Sequence, residues 1–295
     1  MALTCTVVIT TKDRWSELPA ALASVARQSC RPHCIVVDDG SKNPIPDEIV
    51  SAFPEFEYRR NPIALGIIRA RNAIASEIET DVVASIDDDA VYNDNNVIED
   101  ALALMERTDI AAVSIPHVNI IDKSRHVFDQ SQTDGVVPIF IGCAYLVKRK
   151  IFIEIGGFRD VFIRQGEEDD FCLRLASLDL LIARLDRFGV THYPSPVRND
   201  EIIRFFRVRN RLLMAFFNFK IEILLLFVAR EFILLIKDII LRKALKPEII
   251  GYVRGVVDGC NNFTKRKSIS NSVVLRYTNW KRRTTIYYVN DSACK

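Results

Sequence analysis

From Thr4 to Ser114, short β-branched runs alternate with longer segments of helical periodicity. Thr6–Thr10, Cys34–Asp38, Phe56–Arg59, Val82–Ile86 and Ala111–Ile115 read as strands. Trp15–Gln28, Pro46–Phe53, Gly66–Glu77 and Asn95–Arg107 read as the helices between them. Strands alternating with helices at this spacing predict an α/β domain with a mostly parallel, doubly wound sheet flanked by helices. Such a sheet binds ligands just beyond the carboxyl ends of its strands. Two acidic turns fall there, Asp38-Asp39-Gly40-Ser41 and Asp87-Asp88-Asp89, each directly after an apolar run.

Residues 116–200 mix polar loops with an apolar stretch at Val136–Val147 and the acidic segment Gly166-Glu-Glu-Asp-Asp170. They read as the half of the same domain that covers the site, giving a catalytic domain over 1–200 and a helical, apolar and basic extension over 201–295. Charge follows that division: residues 1–200 carry 21 Lys+Arg against 31 Asp+Glu, and residues 201–295 carry 19 against 7. The basic tail predicts a polyanionic partner. Nucleic acid is not the expected one, because no recognisable binding module accompanies the charge. The seven cysteines are scattered, with no CxxC pair, which predicts reduced thiols rather than a disulfide framework or a zinc site. Met1-Ala-Leu-Thr runs straight into the first strand without a basic leader or cleavage site, so a cytoplasmic protein is expected.

Three consecutive carboxylates at a strand end repel one another, and a hard divalent cation removes that cost by taking oxygen ligands. A solvated acidic turn is the plain alternative. Asp39 has the same two readings, a ribose or base contact or ordinary turn chemistry. Acids in the first turn of a helix are favoured by its dipole, which accounts for most of Glu167, Glu168, Asp169 and Asp170; one of them facing a cleft has the chemistry of a general base. His192 alone reads as structural unless it approaches the Asp triplet. On a helical wheel Ile202, Ile203, Phe205, Phe206, Leu212, Leu213, Phe216 and Phe217 share one arc, with Arg204, Arg207 and Arg211 opposite. Arg209 falls inside the apolar arc beside Asn210, where a guanidinium must snorkel, pair with an acid or meet a phosphate.

Taken in order, these segments resemble the family 2 glycosyltransferases of GT-A fold, over roughly residues 4–215. The resemblance rests on Thr6–Asp13, Leu22–Gln28, Val36–Ser41, Asn61 with Gly66–Asn72, Ile86–Asp89, Gly156-Gly-Phe158, Gly166–Arg174, His192 and Arg209-Asn210. It implies that Thr10 and Asp39 contact the nucleotide and that Arg71 serves the donor diphosphate region, with Arg209 a further candidate for the phosphates. It implies a metal, Mn²⁺ or Mg²⁺, at Asp87 and Asp89, the outer acids of a DxD motif, with His192 close to it. Glu168 matches the catalytic base, with Asp170 and Arg174 supporting its helix. The family position more often carries Asp, so Glu167 and Asp169 stand as alternatives. Lys12-Asp13 departs from the usual aromatic-Asn pair.

The activity so implied is inverting transfer from a nucleotide-sugar donor, UDP or dTDP favoured, to a hydroxyl on a glycan or lipid-linked acceptor. A nucleotidyltransferase would show a Gly-rich phosphate loop after the first strand, and Thr10–Trp15 has no glycine. A non-catalytic nucleotide-sugar-binding protein is the other alternative. In the tail, Ile221–Leu241 is apolar but interrupted by Glu222, Arg230, Glu231, Lys237 and Asp238, which favours a helix in the interface of an anionic membrane over one that spans it. The stripe Lys220, Glu231, Asp238 and Arg242 is its expected polar side; packing on the body or in an oligomer contact is the alternative.

Overall fold

The computed structural model describes residues 2–120, 126–127, 135–194, 199–241, 246–283 and 287–288. The elements, in chain order, are β1 (Cys5–Thr11), α1 (Leu18–Ala26), β2 (His33–Asp38), α2 (Asp47–Ala52), β3 (Glu57–Arg60), α3 (Ile67–Glu77), β4 (Val82–Ile86), β5 (Ala90–Tyr92), α4 (Val97–Leu104), β6 (Ile110–Ser114) and β7 (His117–Asn119). There follow β8 (His126–Val127), β9 (Val136–Val137), β10 (Ala144–Lys148), α5 (Arg149–Glu154), a 3-10 turn at Asp160–Phe162, α6 (Glu167–Ala176), β11 (Leu181–Arg184) and β12 (Val190–His192). The extension holds α7 (Asp200–Asn218), α8 (Ile221–Ile240), α9 (Lys246–Asn261), α10 (Asn271–Arg283) and β13 (Tyr287–Tyr288). Every strand and helix expected over residues 4–115 is present, with boundaries shifted by no more than a few residues.

Eight strands form the main sheet in the order β3-β2-β1-β4-β10-β6-β11-β9. β1, β2, β3 and β4 run parallel, as do β6 and β11, while β10 lies antiparallel between β4 and β6. Successive side chains of a strand point to opposite faces, so Val7 and Ile9 enter one core and Val8 the other. The stretch Val136–Val147 supplies β9 and most of β10, both buried in this sheet. A smaller sheet, β5-β12-β7, stands beside it. There His192 pairs with Ala90, which follows the Asp triplet directly.

The extension shares the core of the body. Leu213–Phe217 and Phe219, with Val274 and Tyr277 of α10, join the same apolar cluster as Phe152, Phe158 and Phe171. Helix α7 opens on Asn199, whose side chain accepts a hydrogen bond from Ile202 N, with Asp200 and Glu201 in the first turn. α9 runs parallel to α7 at backbone contact, because Gly251, Gly255 and Gly259 present no side chain to it. A Cβ on Gly251 would stand 2.6 Å from Phe205 O, one on Gly255 2.9 Å from Arg209 O, and one on Gly259 2.4 Å from the Phe216 ring.

Gly251→Ala should therefore destabilise the fold by about 1–3 kcal/mol, since a backbone oxygen cannot swing aside. Val257→Ala, on the exposed side of the same helix, should stay within about 0.5 kcal/mol. Urea denaturation of the two variants checks the difference, and equal midpoints would contradict the close packing.

Candidate active site

The carboxyl ends of β1, β2 and β4 lie side by side, with Thr11 in register with Asp38. Thr10, Thr11, Asp39 and Asp87-Asp88-Asp89 consequently line one cleft of about 650 Å³, together with Lys12, Arg14, Arg164, Gln165, His192, Asn199 and Ile203. The start of β10 reaches the same edge, where Asp87 N donates to Cys143 O at 2.9 Å. The β5–β12 pairing brings His192 Nε2 to 3.2 Å from Asp89 Oδ1. That proximity is the condition under which this histidine ceases to read as merely structural.

The acids of the triplet sit in different surroundings. Burial pushes Asp87 up from the ordinary carboxylate range, against the pull of Arg71, whose Nη2 stands 2.6 Å from Asp87 Oδ1. Burial pushes Asp88 up to about 7 although Arg14 Nη1 lies 3.0 Å away. Asp89 is held low despite its burial, by His192 and by Arg14 Nη2 at 2.7 Å. Near the cleft, Asp39, Asp87, Asp88, Asp89, Glu167 and Glu168 outnumber the cations Lys12, Arg14, Arg71 and Arg164. Oxygen donors with one imidazole, under excess negative charge, suit Mn²⁺ or Mg²⁺. Donor atoms of Asp87, Cys143 and His192 also converge, all within 4.8 Å of one another.

Glu168 is half-buried and, like Arg71, is not among the cleft-lining residues. Gly166, at φ 82°, turns the chain into α6, and Glu168 Oε1 accepts from Gly142 N at 3.1 Å. Arg71 Nη2 donates to Gly142 O at 3.2 Å, so one residue joins the base candidate, through its N–H, to the guanidinium that holds Asp87, through its carbonyl. Burial raises both Glu167 and Glu168, and Glu167, with Glu168 as its charged neighbour, is pushed up to about 8. The other two acids are spent elsewhere. Asp169 accepts from Tyr277 Oη and pairs with Lys281 of α10, which removes it as a base candidate. Asp170, fully buried, is held by Arg159, Arg174 and Asn218, so it and Arg174 fasten α6 to the body.

Three expected site residues have partners within the protein. Arg209 does not reach the cleft as a phosphate contact: its guanidinium is buried against Asp258 of α9 at 2.7 Å and donates to Val161 O, so the acid-pairing reading is the one observed. Its neighbour Asn210 donates to the carbonyls of Phe162, Arg164 and Gln165. These two residues therefore hold the loop before α6, in which Ile163 and Gln165 adopt positive φ. Arg71 lies beneath Asp87 rather than among the cleft-lining residues. Asp39 spends both oxygens on the 61–66 loop, accepting from Asn61 Nδ2, Leu65 N and Gly66 N. Thr10 Oγ1 is buried without a partner at the cleft. Lys12, Arg14 and Arg164 line the cleft without having been singled out. A run of cations directly after a strand end was the available signal for the first two.

None of the six described cysteines is in a disulfide, and Cys294 lies outside the described residues. No described helix is long and apolar enough to cross a membrane.

Comparison with known proteins bears on the fold and the family. O-antigen chain rhamnosyltransferase WbaN of Salmonella anatum is 24% identical over 211 residues, covering 65% of this chain and 66%, just under two thirds, of that protein. The mannosyltransferase PcManGT of Pyrobaculum calidifontis, solved with GDP-Man and Mn²⁺, superposes with a TM-score of 0.58 at 15% identity over 96% of this chain and 84% of its own. S. aureus TarS 1-349 with UDP superposes at 0.54, with 16% identity over 72% and 65% of the two chains. At these identities the superpositions show the fold, a GT-A sheet with its flanking helices. Residues 6–159, more than half of the chain, match the pattern of Glycosyl transferase family 2, and the chain belongs to that family.

Proposed function

We propose that the chain transfers a sugar, with inversion, from a UDP or dTDP sugar to a hydroxyl of a polysaccharide or lipid-linked glycan precursor at the inner face of the cell membrane. The observation that carries this reading is the convergence of Asp87, Asp89 and His192 on one side of a strand-end cleft, with Glu168 joined to Asp87 through Gly142 and Arg71. The rhamnosyltransferase relative supports a deoxyhexosyl donor; of the structural neighbours, TarS is solved with UDP and PcManGT with GDP-Man.

Asp87, Asp89 and His192 would hold Mn²⁺ or Mg²⁺, which when bound offsets the charge of the departing diphosphate. Thr10 Oγ1, unpartnered, and Asp39 Oδ2, which accepts one described bond, have acceptor capacity left for the nucleoside. Lys12, Arg14 and Arg164, the cleft-lining cations, stand for the diphosphate. Glu168 accepts the acceptor hydroxyl's proton as its oxygen attacks the anomeric carbon. The bond from that carbon to the diphosphate oxygen breaks on the opposite face, and the nucleoside diphosphate leaves. Hydrogen bonding to Gly142 N favours the charged form of Glu168, while Glu167 Oε2 is buried without a partner. The proton that the pair retains near neutral pH accordingly rests on Glu167, leaving Glu168 as the base.

Glu168→Gln should slow transfer by roughly 10²–10⁴-fold with donor affinity retained, read from nucleoside diphosphate release and a calorimetric donor titration. Gly142→Ala should lower kcat while preserving the melting temperature, since its Cβ would come 2.4 Å from Glu168 Oε1, the end of a movable side chain. Full activity in both variants would remove Glu168 from the reaction. Release of pyrophosphate from a nucleotide and a sugar phosphate would replace transfer by nucleotidyl chemistry.

Mn²⁺ with UDP should raise the melting temperature of the native chain, because a ligand of the folded state stabilises it. Asp89→Asn with His192→Ala should abolish the metal-dependent part of that rise. An unchanged rise in the double variant would place the metal elsewhere.

Glu167 keeps its proton in the fold up to about pH 8, whereas in the unfolded chain it ionises at about 4.3. Between those values the native chain binds the extra proton, so stability falls as pH rises through the window and is level above it. Glu167→Gln lacks this loss. In EDTA its melting temperature should match the native chain near pH 4 and exceed it by a margin that widens up to about pH 8; a margin constant with pH would contradict the neutral Glu167.

A further inference from the structure

We infer that the outward face of α8, with the adjoining face of α9, is a docking surface for an anionic lipid bilayer. Helix α8 is apolar on both sides: Leu224 is buried, and Ile223, Phe227 and Val228 pack on the core. Its mid-helix acid Glu231 is only 6% exposed, clasped by Arg211 of α7 and by Arg230. A second set of large apolar side chains points outward: Leu226 is 73% exposed, Ile233 65%, Ile240 74% and Phe232 50%. Val253 of α9 continues the surface at 57%, and Tyr252 joins the two helices through its ring contact with Phe232 and its hydrogen bond to Val228 O. A contiguous apolar face of this kind on two packed helices marks an interaction site rather than ordinary surface.

Charge selects the occupant. Three acids of this region are drawn inward, Glu231 to Arg211, Glu248 to Arg204, and Asp258 to Arg209 and Arg254. The cations Lys220, Arg230 and Lys237 remain exposed around the apolar face, opposed there by Glu222 and Asp238, and the whole extension carries 19 Lys+Arg against 7 Asp+Glu. A second copy docking through the same face would set this basic surface against its own image, whereas an anionic headgroup layer complements it. The charges inside α8 and the absence of a spanning helix among the described residues mean that it lies along the bilayer rather than across it. The polar stripe expected from the sequence is reversed at Glu231, and Arg242 lies outside the described residues.

The test uses the full chain and no sugar nucleotide, so it stands or falls separately from the proposed transfer. The chain is sedimented with vesicles of phosphatidylcholine alone and of phosphatidylcholine with one quarter phosphatidylglycerol. Binding is expected to the second, weakening as salt rises. Leu226→Glu with Ile233→Glu should reduce it at least tenfold at an unchanged melting temperature, since both side chains are exposed. Lys237→Glu should reduce it several-fold and flatten the salt dependence. Equal binding by the Leu226/Ile233 double variant, or no preference for phosphatidylglycerol, would overturn the inference. So would a concentration-dependent dimer that the double variant dissolves while the native chain ignores vesicles.

Discussion

Arg71 is buried where four parts of the chain meet, and its charge has to be balanced there. Its Nη2 donates to Asp87 at the end of β4 and to the Gly142 carbonyl before β10, with the Tyr145 ring 6.0 Å away, while its buried Nε has no partner among the described residues. Taking such a cation out of water is costly unless its partners are close and well aligned, so Asp87, Gly142 and α3 are held in one arrangement. Gly142 N in turn fixes Glu168 of α6. The separation between Asp87 and the base is thus set by one charge and one residue, Gly142. Burial leaves Asp88, against the pull of Arg14, and Glu167, against that of Arg71, far above the usual carboxylate range.

Most of the fold was legible because its signals are local. β-branched runs, alternating sides and acidic turns at strand ends each lie within a few residues, and they located Asp39 and Asp87–Asp89 at the cleft, while Thr10 came from the family resemblance alone. His192 needed one long-range fact, the β5–β12 ladder, that no local pattern carries. The helix-dipole reading of Glu167–Asp170 rightly made most of them structural but could not say which. Asp169 is decided by Lys281, 112 residues on, and Asp170 by Asn218, 48 residues on. Arg209 shows the same limit. Its place in an apolar arc was readable, while its partner Asp258 lies 49 residues away on a helix brought close by glycines.

Helix α7 ties the cleft to the extension. Its start lines the cleft through Asn199 and Ile203, and Asn210, a few turns later, carries the carbonyls of the loop that leads into α6. That loop contains two non-glycine residues at positive φ, a conformation kept only where neighbouring contacts outweigh its cost. α7 also carries three ion pairs to the rest of the extension: Arg204 to Glu248, Arg209 to Asp258, Arg211 to Glu231. With seven acids in the extension, three of them held in these pairs, the arginines of α7 take acids that would otherwise face solvent from α8 and α9. The apolar, cationic outer face of the tail is therefore the counterpart of the polar packing that steadies the loop before Glu168.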